Sequence, residues 1–140
     1  MASEDEGRRG SVVDTRRITM SIEENKALVW RYIHISEDFN RADEILAPDF
    51  VDHAHPEFRP GLEDLKQNLI DFYNAFPNAS ITVEEMIGER DIIAFRFVLR
   101  GTHTRPFGKI APTGKEIVWT GMDFVRIRNG KLVDLWSNQD

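Results

Sequence analysis

The chain has 140 residues, 41% of them hydrophobic, which is the size of one compact domain with one core. Its 24 acidic and 18 basic side chains give a formal net charge of −6 without a basic cluster, so nucleic acid and anionic membranes are not expected partners. The absence of cysteine excludes disulfides and thiolate metal sites. No apolar run reaches the roughly 20 residues of a membrane span, and the N-terminus lacks a secretory signal, so we expect a soluble cytoplasmic protein.

The N-terminal part divides into a tail and the start of a helix. Residues 1–19 mix charges, glycine and serine without periodicity, which predicts a flexible tail, and residues 20–140 are predicted to form a single domain. The capping box "SIEE" predicts a helix from Ser21 to about Ser36. Its predicted inward stripe is Ile22, Leu28, Val29, Tyr32 and Ile33.

Two further helices are predicted, with a loop between them. Asn40 is the expected N-cap of a short helix, "RADEIL", that ends before Pro48. The segment 49–61, "DFVDHAHPEFRPG", is too broken for a helix and too rich in proline for a central strand, so we predict a structured loop. Apolar residues at helical spacing predict a longer helix over 62–76.

After the third helix the pattern changes to the period of two that is typical of strands. The four predicted strands are 80–88, 91–104, 116–128 and 131–139. Short turns, "GERD" and "RNGK", predict antiparallel neighbours, whereas the long connection 105–115 is expected at the mouth of a site. We therefore predict an α+β fold in which three N-terminal helices pack on one face of a curved, mainly antiparallel sheet.

One carboxylate lies inside a predicted strand whose other residues indicate that the strand is buried. In "TGMDFVRI", residues 120–127, Asp123 stands between two large apolar residues. A buried carboxylate costs several kcal/mol unless it is paired, hydrogen-bonded or protonated. Two interpretations stay open: Asp123 transfers protons in an apolar pocket, or it pairs with Arg126, Arg96 or a backbone amide and only joins strands.

A second cluster of polar and aromatic residues lies in the predicted loop. Asp52, His53 and His55 resemble a fragment of a metal site, but a third protein ligand at comparable spacing is lacking, so no metal is predicted. We expect His53 to line the pocket as a catalytic residue, with Asp52 orienting it by a hydrogen bond. In the alternative interpretation these side chains only hold the turns of the loop.

Several other side chains are candidates for contact with a substrate. An aromatic floor would suit a flat or unsaturated molecule, although such residues are more often part of a plain core. The predicted substrate-binding residues are Phe50, Tyr73, Phe76, Trp119, Trp136 and Ser137. His103 is expected to face solvent. Phosphate loops, dinucleotide fingerprints, G-x-S-x-G elbows and H-E-x-x-H motifs are lacking, which leaves cofactor-free acid/base chemistry.

A resemblance to a known family rests on four segments that occur in the same order: "LAPDFVDH", "RGTHT", "PTGK" and "TGMDFVRIRNGKLVDLW". In these segments the chain resembles the SnoaL-like polyketide cyclase (ester cyclase) group of the nuclear transport factor 2-like superfamily. The resemblance implies a cone that encloses a pocket, and a homodimer. It also implies an acid/base aspartate after the last tryptophan, with a histidine opposite it. In this chain those two positions fall on Ser137 and Asp123, so the pocket carboxylate has moved to the neighbouring strand.

The combined expectation is a cofactor-independent acid/base enzyme that acts on an apolar, carbonyl-bearing small molecule, of polyketide cyclase or isomerase type. Neither a cofactor nor a metal is expected, and the expected partners are a small-molecule substrate and a second copy of the chain. Two alternatives stay open. One is a non-catalytic binding or dimeric scaffold protein, and the other is a hydratase or epoxide hydrolase.

Overall fold

The computed structural model describes residues 21–140, and the predicted tail, 1–19, lies outside them. In the described part, helices pack on a curved five-stranded sheet in an α+β fold. The helices are α1 (Ile22–Ile33), α2 (Ala42–Ile45) and α3 (Glu63–Ala75), and the strands are β1 (Leu46–Asp52), β2 (Ser80–Glu89), β3 (Ile92–Thr102), β4 (Glu116–Arg128) and β5 (Lys131–Gln139). None of these helices has the length and apolar character needed to cross a membrane.

Helix α1 begins at the predicted capping box. The Ser21 hydroxyl accepts from the Glu24 backbone N–H at 3.1 Å, and the Glu24 carboxylate accepts from the Ser21 backbone N–H at 2.9 Å. These bonds satisfy two backbone donors that the first helical turn leaves free. The helix ends at Ile33 rather than near Ser36, because a 3-10 turn, Ile35–Glu37, follows it.

The second helix differs in detail from the prediction. Asp38, not Asn40, is the capping residue, and it caps the 3-10 turn Phe39–Arg41, since its carboxylate accepts from the Asn40 backbone N–H at 3.0 Å. Helix α2 follows without a side-chain cap of its own and is a single turn that ends at Ile45. The chain is already extended at Leu46, so Pro48 does not end the helix.

Strand β1 corrects the predicted loop at 49–61. It spans Leu46–Asp52 and pairs in parallel with β5, with Leu46 opposite Leu132 and Asp52 opposite Leu135. As an edge strand, β1 tolerates Pro48, which a central strand would not. Its position also separates the helices, so that α3 follows the first strand and the three helices are not all N-terminal to the sheet.

The other four strands lie close to their predicted bounds. The sheet order is β1-β5-β4-β3-β2, and every pair except β1 with β5 is antiparallel. The Asn-Gly turn works as predicted, because Asn129 at φ 52° and Gly130 at φ 75° both adopt the positive φ of a type I′ turn. The predicted hairpins are therefore confirmed.

The two faces of the sheet differ in character. We call the face packed against the helices the inner face. Its buried side chains are Ile93, Phe95, Phe97, Leu99, Val125, Ile127 and Leu135. The opposite, outer face carries Arg96, Met122, Phe124 and Trp136. Because consecutive residues of a strand point to opposite faces, a single position decides whether a side chain reaches the core or the exterior.

Candidate active site

A cavity of about 310 Å³ lies between the inner face of the sheet and helices α1 and α3. This volume is at the small end of the roughly 300–1,000 Å³ that is usual for small-molecule sites. Its aromatic lining is Tyr32, Phe72, Tyr73, Phe95, Phe97, Phe107 and Trp119, and its polar lining is His55, Asn68, Asp123 and Gln139. An aromatic chamber with few polar groups is suited to an apolar ligand.

Asp123 lies in the middle of β4 and contributes a carboxyl group to this cavity. It is opposite Phe95 of β3 and opposite Ser137 of β5, as the alignment with the resembling group requires. Only 9% of the residue is exposed. Its Oδ1 atom is buried and has no hydrogen-bonding partner among the residues that the structure describes. An unpartnered polar atom in such a position is uncommon and calls for a ligand or a chemical role.

The arginines considered as partners of Asp123 lie on the outer face. Arg96 pairs with Glu84 at 3.2 Å, and Arg126 pairs with Asp134 at 3.7 Å. Neither guanidinium therefore neutralises Asp123. The interpretation of Asp123 as one half of a structural ion pair is not supported by the structure.

The surroundings of Asp123 make its carboxyl group a weaker acid than usual. Burial is the largest cause and raises its pKa to about 6. The Ser137 hydroxyl lowers the pKa in part, and the neighbouring charge of Asp52 raises it. A carboxyl group with this pKa gains and loses a proton near neutral pH, which is the property required of a general acid or base.

Asp52 lies on the inner side of β1, opposite Leu135 of β5. Burial raises its pKa, although a bond from the Ala54 backbone N–H to its Oδ1, at 3.0 Å, opposes this effect. This bond holds the carboxylate inside its own turn. The prediction that Asp52 orients His53 is therefore wrong.

His53 and Trp136 do not line the inner cavity; together with Asp123 and Ser137 they line a depression on the outer face. The rings of His53 and Trp136 stack on the outer face, with ring centroids 4.6 Å apart and planes 1° apart. His53 Nε2 lies 2.9 Å from the Asp134 carboxylate, and the Arg126 guanidinium lies 5.5 Å from the Trp136 ring. The sheet separates this cluster from the carboxyl group of Asp123, because Trp136 and Ser137 are consecutive in β5 and face opposite sides.

The other predicted substrate-binding residues are distributed between the cavity and the core. Tyr73 and Trp119 line the cavity, and Ser137 is the cross-strand neighbour of Asp123. Phe50 and Phe76 are buried core residues outside the cavity lining. That Tyr73, Trp119 or Ser137 contacts a substrate stays a prediction.

The aromatic wall needs a glycine in β4. A Cβ at Gly121 would lie 2.7 Å from the Phe97 ring and 3.0 Å from Gln139. Only glycine therefore allows both side chains to approach the strand between Trp119 and Asp123. Phe72 of α3 completes the wall, with its ring centroid 5.6 Å from that of Trp119.

His103 is buried, whereas the sequence predicted that it faces solvent. Its ring stacks on Phe76 at 4.9 Å, and its Nδ1 lies 3.3 Å from the Thr113 hydroxyl. The Gly114 backbone N–H donates to the His103 carbonyl at 2.8 Å. These contacts fix the long connection, which carries the cavity residue Phe107. Because Phe107 lines the cavity, the connection borders it, and its role as the mouth stays a prediction.

Sequence reasoning missed several cavity residues. Tyr32 belongs to the apolar stripe of α1, where a tyrosine is typical of packing. Phe107 lies in the long connection, which has no periodic pattern, and Gln139 is the last residue of β5. His55 was considered only as a metal ligand, yet it lines the cavity and stacks on Phe58 at 4.6 Å. Within residues 21–140, the structure contains no group of three or more side chains arranged to hold a metal ion.

A larger depression of about 650 Å³ lies on the outer face, lined in part by Met122, Phe124 and Trp136. It is broad and open to solvent. Asp123 and Ser137 also border this depression. However, Asp123 is buried while its strand neighbours Met122 and Phe124 are exposed on the outer face, so the carboxyl group of Asp123 points to the inner face. We therefore place the candidate active site in the inner cavity.

The comparisons with known proteins agree with this architecture. The family model for the SnoaL-like polyketide cyclase matches residues 26–140, which is nearly all of the described part. No curated protein matches the chain by sequence.

Solved structures provide close structural neighbours. IdmH from Streptomyces antibioticus, a candidate polyketide cyclase, is 27% identical, with a TM-score of 0.66 over 83% of this chain and 91% of its own. AclR from Streptomyces galilaeus, a candidate hydroxylase, is 24% identical, with a TM-score of 0.74 over 86% of this chain and 77% of its own. TsrD from Streptomyces laurentii is 18% identical, with a TM-score of 0.78 over 86% and 91% of the two chains. The similarity to AclR and TsrD shows a shared fold and nothing further.

Proposed function

The chain belongs to the SnoaL-like polyketide cyclase family, and on this premise we propose that it is an enzyme that moves protons on an apolar, carbonyl-bearing small molecule. The proposed reaction is an aldol-type cyclisation or an isomerisation, with Asp123 as the proton-transferring group. The family match covers the strands that form the inner face, including β4 and β5. The cavity and its carboxyl group therefore both belong to the matched region.

One observation carries this proposal. Asp123 places a buried carboxyl oxygen, free of protein partners, in an aromatic cavity. Proteins bury lone carboxyl groups rarely, because the charged form loses its hydration. A free and poorly solvated carboxylate is a stronger base than one in water, and it is exposed to the ligand rather than to bulk solvent.

The proposed steps balance without another reactant. The Asp123 carboxylate takes a proton from the carbon next to a carbonyl, and the electron pair of the C–H bond moves to the carbonyl oxygen. In an isomerisation, Asp123 returns the proton to another carbon. In a cyclisation, the enolate carbon bonds to a second carbonyl carbon, and the resulting alkoxide takes the proton from Asp123. The product is an isomer of the substrate, so these steps require no cofactor.

Two alternatives predict different results. A hydratase or epoxide hydrolase would add water, so product formed in labelled water would carry the heavy oxygen, whereas the proposed reaction adds none. A non-catalytic scaffold would bind ligands without turnover. The open outer face with its exposed apolar side chains is compatible with such a scaffold, but it does not explain the free carboxyl oxygen in the cavity.

The first test is Asp123→Asn, which keeps the shape of the side chain and removes the base. As a probe we suggest 2-tetralone, an apolar bicyclic ketone, with exchange of its α-hydrogens in deuterated water followed by NMR. We expect Asp123→Asn to lose roughly 10²- to 10⁴-fold of the protein-dependent exchange, while binding of the ketone stays within about tenfold. Below about pH 6 the wild-type rate should fall, because Asp123 is then protonated.

Asp134→Asn is the matched control, since Asp134 is a partly buried carboxylate at the same sheet but on the outer face. This variant should exchange the α-hydrogens of 2-tetralone at nearly the wild-type rate. Equal exchange by wild type and Asp123→Asn would contradict the proposed function.

A further inference from the structure

The cavity contains both tyrosines of the chain, and their hydroxyl groups differ. Tyr32 projects from α1 and Tyr73 from α3. The hydroxyl of Tyr73 is engaged with Ser36. Tyr32 is half-buried, and within the described part no hydrogen bond joins its hydroxyl to a protein group. A phenol that lines a cavity without a protein partner has its donor open to a ligand.

Tyr32 and Asp123 are close enough to influence each other without being bonded. Burial is the largest cause that raises the pKa of Tyr32 above its ordinary value, and the charges of Asp123 and Asp52 add to it. The phenol therefore keeps its proton at physiological pH and remains a hydrogen-bond donor. The cavity thus presents one free acceptor from the sheet and one free donor from α1.

We infer that Tyr32 is a second catalytic group: its phenol donates a hydrogen bond to the carbonyl oxygen of the substrate while Asp123 removes the proton from the adjacent carbon. The inference rests on the proposed function. A donor and an acceptor facing one apolar cavity are the complement of a carbonyl with an acidic C–H beside it. The ligand class that fits is an enolisable ketone held within a flat, unsaturated ring system.

The role of Tyr32 follows from where charge develops. When the C–H bond breaks, the negative charge moves from Asp123 to the carbonyl oxygen. A hydrogen bond to an oxyanion is stronger than one to a neutral carbonyl, so Tyr32 stabilises the transition state more than the bound ketone. Tyr32 keeps its proton throughout, and Asp123 carries the proton that is transferred. The aromatic part of the lining cannot donate a hydrogen bond to the enolate, so a polar donor such as Tyr32 is needed to stabilise it.

Binding of an enolate mimic tests this donor without any turnover. The probe is 4-nitrophenol at pH 8, where it is a phenolate and its absorbance reports the charge on its oxygen. The binding experiment uses the Asp123→Asn background, in which the carboxylate at that position no longer repels the probe. We expect Tyr32→Phe to weaken phenolate binding by roughly 10- to 100-fold, as is typical when a charged group loses a hydrogen bond.

Tyr73→Phe is the matched control, because it removes the other phenol of the same cavity, whose hydroxyl is already engaged with Ser36. Its phenolate binding should change by less than about threefold. Equal affinity in the Asp123→Asn protein with and without Tyr32→Phe, or equal losses in the two tyrosine variants, would overturn the assignment of Tyr32.

A second measurement avoids reliance on a core substitution. With 3-fluorotyrosine in place of tyrosine, the chain gives two fluorine resonances, which Tyr73→Phe assigns. The Tyr32 resonance should shift more than that of Tyr73 when the phenolate binds, because Tyr73 lines the same cavity but does not donate to the probe. An unmoved Tyr32 resonance would overturn the inference. If Asp123→Asn keeps full exchange of the ketone while Tyr32 still binds the phenolate, the proposed function fails separately from the donor role of Tyr32.

Discussion

Each face of the sheet carries an aspartate, and the surroundings of these two aspartates differ. On the inner face, Asp123 has a carboxyl oxygen without a partner in an aromatic cavity. On the outer face, Asp134 is a carboxylate with two partners, His53 and Arg126, near solvent. The same functional group is thus left partly free on one side and neutralised on the other. A polar group that is buried and left free is the better indicator of chemistry than one that is well bonded.

The comparison also shows that the free carboxyl oxygen has a cost in stability. Ionisation of Asp123 must occur in a poorly hydrated position, whereas the carboxylate of Asp134 has His53 and the Arg126 guanidinium as partners. Active sites commonly retain such destabilised groups because function requires them. The predictions below test this contrast between the faces.

The largest expected effect is on the pH dependence of stability. The pKa of Asp123 is raised from the ordinary 3.8 to about 6, so the folded state binds this proton more tightly than the unfolded state. Its stabilising contribution is complete below about pH 4 and is lost as the pH rises through about 6, a loss of about 3 kcal/mol. Urea unfolding should therefore show that Asp123→Asn gains about 2–3 kcal/mol over wild type on going from pH 4 to pH 8.

Asp134→Asn provides the comparison for this measurement. It removes the partner of His53 and Arg126 and so offers no relief from a buried charge. We expect no gain in stability at pH 8. If the free energies of unfolding of Asp123→Asn and Asp134→Asn differ from that of wild type by the same amount at pH 4 and at pH 8, the contrast between the two faces is wrong.

A second effect concerns the apolar side chains of the outer face. Ile87, Val118, Met122 and Phe124 are all largely exposed there, and such a patch is typical of an interface. We propose that a second copy of the chain covers this face, as expected for a homodimer. Phe124→Lys should then raise the dissociation constant of the dimer by roughly thirtyfold, about 2 kcal/mol, in sedimentation equilibrium.

Ile110→Lys is the control for the dimer, since Ile110 is equally an exposed hydrophobic residue but lies in the connection between β3 and β4. It should leave self-association unchanged. A wild-type chain that remains monomeric at all accessible concentrations would contradict the proposed homodimer.

The sequence predicted the fold better than the site, for a physical reason. Helix α1, helix α3 and strands β2 to β5 carry clear periodicity, and the Asn129-Gly130 turn fixes one hairpin. Strand β1 was missed because Pro48 was interpreted as the end of a helix, and Pro56 and Pro60 favoured a loop after it. Pro48 is tolerated because β1 is an edge strand, and edges are not visible in a sequence.

The errors at the site follow from the alternation of strands. Trp136 and Ser137 were both expected in the pocket, although consecutive strand residues cannot share a face. Asp123 was found because a carboxylate interrupts an apolar strand, which is a strong local signal. Tyr32 gave no signal of that kind, since its surroundings in α1 are those of ordinary core packing.

The smallest expected effect is that of His53→Ala, which tests the corrected position of His53. Its side chain is more than one-third exposed, and its pair with Asp134 lies on the outer face. Exposed pairs of this kind contribute at most about 1 kcal/mol, and the stacking of His53 on Trp136 adds about 0.5 kcal/mol, so the free energy of unfolding should fall by no more than about 1.5 kcal/mol. The exchange of 2-tetralone should change by less than about twofold, because the sheet separates His53 from the carboxyl group of Asp123. A tenfold or larger loss of exchange, with the fold intact by circular dichroism, would mean that the outer face takes part in the chemistry and that the division between the faces does not hold.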